Sequence, residues 1–284
     1  MIQELNIGEM VLHHTADAYS IGIEPFFTFR WHRWPDLHLG PVTLNLTPTK
    51  HVVFLFVAAT LVFLTMWAAG RSLERQRASE KAPKGFANAI EAMVLFVRND
   101  MAIANIGHDG ARFAPYIMAL FFFILYCNLL GLFPHGSTPT GNLAVTGALA
   151  LVTLSVVELG GLMKLGVRGY MRTIFPSVPG MTGPTAVVLS FAMAPIEIIG
   201  KMVKPFALAV RLFGNMTAGH FVILSLFGVI FLFGRLQFWN VGIGIVTALL
   251  VAGIMMLEIF VAFLQAYVFA LLSAVFIGLM QHEH

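Results

Sequence analysis

Long apolar runs, separated by short clusters of charge and proline, divide this chain. The first runs from Val52 to Gly70, nineteen residues without a charge, and stops against Arg71, Glu74, Arg75 and Arg77. A second runs from Phe113 to Phe133 and ends on Pro134, and a third, Gly141 to Met163, carries one carboxylate, Glu158. Each approaches the roughly 20 apolar residues that a helix needs to cross a hydrocarbon core of about 30 Å. Two longer segments follow. Ala186 to Phe233 is mostly apolar but punctuated by Glu197, Lys201, Lys204, Arg211 and His220, and Val241 to Met280 is a 40-residue run whose only charged residue is Glu258. Forty helical residues extend about 60 Å, twice the hydrocarbon thickness, and no proline divides the run, so it must tilt or bend. Joined through residues 234–240, these segments read as two long, antiparallel, steeply tilted helices.

The remaining stretches have other periods. Within residues 1–50, Pro25, Pro35, Pro41 and Pro48 exclude a long helix, and Phe26 to Phe29 and Val42 to Leu44 are β-prone. Trp31 and Trp34 beside Arg30, His32 and Arg33 have the composition of a headgroup-level belt; the alternative is an ordinary exposed tail. Between the first two spans, Phe86, Ile90, Met93, Val94, Phe96 and Val97 recur at helical spacing among basic residues, which predicts an amphipathic interfacial helix at about 82–105. The expected division is an extramembrane segment at 1–50, three membrane helices with the interfacial helix at 51–185, and the tilted hairpin at 186–284. The fold class is therefore an all-α integral membrane protein with five membrane helices and one interfacial helix.

Composition agrees. Of 284 residues, 58% are hydrophobic and 11% charged, against roughly 25% charged in a soluble domain. The net charge of +3 does not point to nucleic acid, because the basic residues occupy membrane loops, where they report orientation. Ten Lys and Arg lie in 71–112 and 164–172, and four lie in the N-terminal segment and the loops at 134–140 and 234–240. The side with ten is cytoplasmic, which puts the N-terminus outside and the C-terminus inside. The acidic start Met1-Ile2-Gln3-Glu4 does not read as a secretory signal. The single cysteine, Cys127, excludes a disulfide framework and a cysteine zinc site. His13, His14, His32, His38 and His51 lack metal-ligand spacing, and no phosphate-binding, dinucleotide or zinc-protease motif occurs, so no metal or cofactor is expected.

The candidate chemistry lies in the charged groups inside the apolar segments. An arginine at the bilayer centre costs roughly 2.5–3.5 kcal/mol, so Arg211 needs a carboxylate or water to face. If the last two segments are antiparallel, Arg211 with Gln265 and His220 with Glu258 fall within two residues of one register. A histidine beside a carboxylate exchanges protons near neutral pH, since an unperturbed imidazole titrates at about 6.5. The alternative for His220 is a core histidine bonded to a carbonyl. His220 lies nine residues from Arg211, about half a turn round an ideal helix, so the two do not share a face. Glu197 either lines an inner water path or pairs with Lys201 four residues on. Glu158 has the same two options.

The run from Pro205 to His220, Pro-Phe-Ala-Leu-Ala-Val-Arg-Leu-Phe-Gly-Asn-Met-Thr-Ala-Gly-His, with Ala262-Phe-Leu-Gln-Ala-Tyr-Val-Phe downstream, closely resembles the a subunit of F-type ATP synthases. Lys50 to Val53 and Asn128 to Pro134 share the likeness. The resemblance implies that Arg211 faces the essential carboxylate of a rotating c-subunit ring, between two offset aqueous half-channels. The family's asparagine and glutamine match Asn215 and Gln265, its cytoplasmic-side glutamate matches Glu197, and its outer half-channel pair matches His220 and Glu258. Many bacterial members carry that pair in the opposite order; this chain has the mitochondrial-type order. Further implications are peripheral-stalk b subunits as partners, together with the remainder of the complex. The expected location is an energy-transducing membrane such as a bacterial plasma membrane, and the chain has no catalysis of its own. Two rivals make different predictions. A secondary proton-coupled transporter would show internal repeats and broken helices, and a structural anchor would leave Arg211, His220 and Glu258 dispensable.

Overall fold

The structure is a computed structural model and describes residues 18–23, 27–30, 32, 34–39, 42–45, 47–78, 85–133, 136–176, 183–233 and 240–282. In the N-terminal segment the prolines leave room only for short strands. Ser20–Ile23 (β1) pairs antiparallel with Phe27–Arg30 (β2), Ser20 opposite Arg30. Leu37–Leu39 (β3) pairs with Val42–Leu44 (β4), Leu37 opposite Leu44. Of the β-prone pieces, residues 27–29 and 42–44 are strands, each with a partner that the sequence pattern did not mark, and Phe26 lies outside the described residues. Trp34 is exposed and its amide donates to Thr47 Oγ1 at 2.9 Å; Trp31 and Arg33 of the expected belt lie outside the described residues.

Helices make up the rest: Lys50–Ala78 (α1), Phe86–Phe96 (α2), Gly110–Gly131 (α3), Leu143–Ile174 (α4), Pro184–Phe233 (α5) and Asn240–His282 (α6). After α2 the chain continues as a π-helical stretch, Val97–Ile103, and a last turn, Ala104–Ile106. Its buried positions are Ile90, Val97, Met101, Ala102 and Ile106, a single stripe, as an amphipathic helix requires. Residues 79–84, where the expected helix begins, lie outside the described residues.

α1 runs eight residues past the end of its apolar run. The charged residues that end the run are straight-chain helix formers, so they end the membrane span without ending the helix. Arg71 then lies 4.0 Å from the Trp67 ring centroid. α4 likewise continues through the basic stretch expected to be a loop. A break within it falls at Gly166, whose φ of 65° is open to glycine and strained for other residues. Among the described residues, Lys50–Arg71, Gly110–Gly131, Leu143–Ile174 and Gly244–Gln281 are apolar and long enough to cross a membrane. α5 is the longest helix, at 50 residues, and carries Glu197, Lys201, Lys204 and Arg211 within its length. Pro195 and Pro205 lie within it without ending it, as membrane helices tolerate. At 43 residues, α6 is about 65 Å long.

The chain divides into two compact units. Residues 1–63, 123–142 and 213–265 form the first, and 64–122, 143–212 and 266–284 the second. In the first, Ala58, Ile124, Cys127 and Ala262 are wholly buried. There Gly219 of α5, fourteen residues before the helix ends, packs against Glu258 of α6, eighteen after that helix begins, so the two helices fold back antiparallel. Their connection, 234–239, lies outside the described residues. In the second unit Phe121, Phe122, Ile117, Phe269, Ala274 and Ile277 form the core, with Phe121 and Phe122 edge to face at 5.2 Å. Large apolar side chains are exposed along α5 and α6, among them Phe191, Ile196, Met256 and Phe260. Such surfaces suit lipid or another membrane helix.

Candidate functional site

In the first unit the polar groups are gathered around a short connection between α3 and α4. Residues 136–142 carry no charge, and Pro139 fixes one turn of tight helix, Pro139–Gly141. Ser137, Thr138 and Thr140 are buried. Thr138 Oγ1 hydrogen-bonds His220 Nε2 on α5. Ser137 Oγ bonds His51 Nδ1 on α1 at 2.8 Å. Thr140 Oγ1 donates to Asn128 Oδ1 on α3 at 2.6 Å, and Asn128 Nδ2 donates to the Ala262 carbonyl on α6 at 3.3 Å. Each bond answers the same constraint: a polar group removed from water costs free energy unless partnered.

Glu258 is the exception. Its Oε2 is buried and has no hydrogen-bond partner, and the same holds for Thr217 Oγ1. The carboxylate lies against Gly219: a β-carbon there would overlap Glu258 Oε1 and come 2.9 Å from Cδ. The register expected for His220 and Glu258 is thus filled by the residue beside the histidine. α5 remains helical through Gly214 and Gly219. The imidazole turns instead to Thr138, and no hydrogen bond or ion pair joins His220 and Glu258 among the described residues.

The second unit holds a different cluster. A small cleft, partly open to the surroundings, is lined by Glu158, Glu197, Lys201, Lys204, Phe276 and Met280 among others. Tyr170 Oη donates to Glu158 Oε2 at 2.6 Å, and Lys201 Nζ lies 3.8 Å from the same oxygen. Lys201 also donates to Thr173 Oγ1 at 2.8 Å and sits 4.9 Å from the Tyr170 ring centroid. The pairing considered between Glu197 and Lys201 therefore does not form; Lys201 goes to Glu158 on α4. Glu197 is half-buried in the cleft with no ion pair among the described residues. Arg211 is exposed on α5 and has no hydrogen bond or ion pair among the described residues. Ala207, Val210, Gly214, Asn215 and Ala218 share its exposure, as does Phe206, so the guanidinium stands on an exposed and mostly apolar stripe of the helix. Gln265 is buried.

At the edge of α3, Asp109 bonds Lys164 at 2.8 Å, and this partner holds its carboxyl below the usual aspartate range, with weaker help from the charges of His108 and Arg112. Among the described residues no cluster of three His, Cys, Asp or Glu could hold a metal ion.

Pattern reading passed over Ser137, Thr138, Thr140, Tyr170 and Thr173, and weighed His51 only as a metal ligand and as part of a motif. Asn128 entered only as part of a motif. Its signal was present, an amide between Cys127 and Leu129 inside an apolar span, where a polar residue needs an internal partner. The hydroxyls gave no such signal, because Ser and Thr in a short connection are equally at home in water.

Over residues 52–278 the sequence matches the family described as ATP synthase A chain. It is 43% identical to ATP synthase subunit a 2 of Chlorobaculum tepidum, over 96% of this chain and 72% of the relative. ATP synthase subunit a of Chloroherpeton thalassium is 42% identical, over 96% of this chain and 77% of the relative. The subunit a of Anaeromyxobacter dehalogenans is also 42% identical, over 96% and 70%. This chain belongs to the ATP synthase A chain family.

Proposed function

We propose that this chain is the proton-conducting stator subunit in the membrane sector of an F-type ATP synthase, where it couples proton flow to rotation of a c-subunit ring. The observation that carries this reading is Arg211, exposed and unpartnered among the described residues on an apolar helix. A guanidinium in hydrocarbon needs a partner, and an always-charged arginine attracts a deprotonated carboxylate on a neighbouring subunit. Protonated, neutral carboxyls pass into lipid, so the charge acts as a one-way barrier. It also keeps protons from leaking directly between two half-channels.

His220 and Glu258 serve the outer half-channel, with Glu258 bringing a buried, unpartnered oxygen to which water or a proton can bind. Glu197 serves the inner one, and Glu158 holds Lys201 beside it. Asn215 and Gln265 are further polar groups of the proton path. Each charge crossing yields about 2.3 kcal/mol per 100 mV, so many crossings are accumulated mechanically before ATP is made elsewhere in the complex. The chain has no catalysis of its own. Its partners are the c ring and the peripheral-stalk b subunits, and its N-terminus faces outward and its C-terminus the cytoplasm of a bacterial plasma membrane.

Arg211→Ala tests the reading. In an assembled complex this variant abolishes ATP-driven proton pumping, measured by dye quenching in inverted vesicles; pumping at the wild-type rate overturns the proposal. The transporter alternative gains no support, since the relatives matched are named as ATP synthase subunits.

A further inference from the structure

Three hydroxyls in residues 137–140 reach all four helices of the first unit. Ser137 bonds His51 on α1, Thr138 bonds His220 on α5, and Thr140 bonds Asn128 on α3, which passes the link to the Ala262 carbonyl on α6. Ser137, Thr138 and Thr140 are 5% exposed or less, and Asn128 is wholly buried. Burial removes water as a competing partner, so each bond fixes the orientation of the side chain it holds. Gly131 tightens the arrangement at one place: a β-carbon there would overlap Thr138 Oγ1. The hydroxyl fits because position 131 has no side chain.

We propose that this connection is a positioning element of the outer proton path, with Thr138 fixing the imidazole of His220. The proposal rests on the reading of His220 as a proton-carrying group. A neutral imidazole has one donor and one acceptor nitrogen, and a partner held on one nitrogen decides what the other does. With Nε2 committed to Thr138, Nδ1 is the nitrogen left to exchange a proton. Other groups face the ring as well. Lys50 on α1 is near enough for its charge to act on His220. Glu258 lies against the neighbouring Gly219, and His51 is bonded to the neighbouring Ser137. Substituting Thr138 leaves all of these in place and removes only the bond.

The test compares Thr138→Val, close in shape but without a hydroxyl, with Thr138→Ser, which keeps it. Both are made in the intact complex, with assembly checked by the amounts of this chain and the c subunit in the membrane. Passive proton conduction and ATP-driven pumping are measured across pH. The expected result is a conduction loss of about tenfold in Thr138→Val, the consequence of an unpartnered buried group, with the midpoint of the pH profile displaced. In Thr138→Ser both rate and profile return. Wild-type conduction with an unshifted profile in an assembled Thr138→Val complex overturns the proposal.

Should Thr138→Val fail to assemble, ¹⁵N NMR of the histidine-labelled wild-type complex decides. His220 signals are identified by their absence in His220→Gln. A single tautomer with a hydrogen-bonded Nε2 supports the proposal, and fast averaging of two tautomers overturns it. Failure of the functional reading shows separately, as continued pumping in Arg211→Ala.

Discussion

The acid-bearing clusters of the two units hold their polar groups by different means. The first uses neutral partners, hydroxyl to imidazole and hydroxyl to amide, and leaves one carboxylate oxygen of Glu258 without a bond. The second uses charge against charge: Glu158 receives the Tyr170 hydroxyl and the Lys201 ammonium, and Lys201 is further held by Thr173. Both hold an acid within an apolar chain. A carboxylate whose oxygen already accepts a hydroxyl and faces an ammonium is a structural anchor, since protonating it means giving up interactions already made. A carboxylate with an empty lone pair has room for a proton or water. Under the proposed function that contrast makes Glu258 the acid suited to change state and Glu158 the one held as it is, although sequence alone gives each the same description, one acid in an apolar run.

The largest effect expected from this contrast is on stability. Lys201→Met leaves Glu158 with the Tyr170 hydroxyl alone, in a place where the two charged side chains are only 12% and 22% exposed. Leaving a largely buried group short of a partner costs about 1–3 kcal/mol. Thermal unfolding of the detergent-purified chain should show a lowered Tm, with Tyr170→Phe giving a smaller drop. A Lys201→Met chain as stable as wild type would end the structural assignment of Glu158 and return it to the inner proton path.

A second effect, near tenfold in rate, separates function from folding in the first unit. Gly219→Ala adds a β-carbon where Glu258 Oε1 now lies, so the carboxylate must swing away. Alanine is the better helix former by about 1 kcal/mol, which offsets the local crowding in stability. Proton conduction should therefore fall about tenfold, the cost of a misplaced polar group, while Tm stays level or rises. Gly244→Ala, where nothing lies within 4 Å of an added β-carbon, is the control. Equal conduction in the two variants would mean that the position of Glu258 against α5 has no bearing on proton flow.

How much of this could be read from the residues follows from what periodicity records. Apolar runs gave the helices, because a membrane tolerates only segments that satisfy their own backbone. Helix ends were harder: α1 and α4 continue past their apolar runs, since arginine and lysine end burial without ending helix. Register was legible to within one residue. An antiparallel pairing brings the neighbourhoods of His220 and Glu258 together, but a helix turns 100° per residue, so a single step puts Gly219 against the acid and sends the histidine to Thr138. Side-chain partners were the least legible part. The link from Thr138 to His220 spans 82 residues, and nothing local in either sequence encodes it.

The smallest effect lies outside both clusters, at the ion pair of Asp109 and Lys164. These side chains are 38–39% exposed, so solvent screens them and the pair contributes little beside the buried Lys201 and Glu158. Its dependence on pH is nevertheless definite in sign. The folded state holds the Asp109 carboxyl below its ordinary value of 3.8, chiefly through the hydrogen bond from Lys164. A carboxylate depressed in this way binds fewer protons folded than unfolded, so its contribution is fully present above about pH 4 and lost as pH falls through 3.8 and below. Asp109→Asn should thus lower Tm slightly at pH 7, with the difference from wild type closing at pH 3. Added salt at pH 7 should shrink the same difference, whereas it should leave the Lys201→Met effect nearly unchanged. If both differences responded equally to salt, burial would not be what distinguishes the two ion pairs.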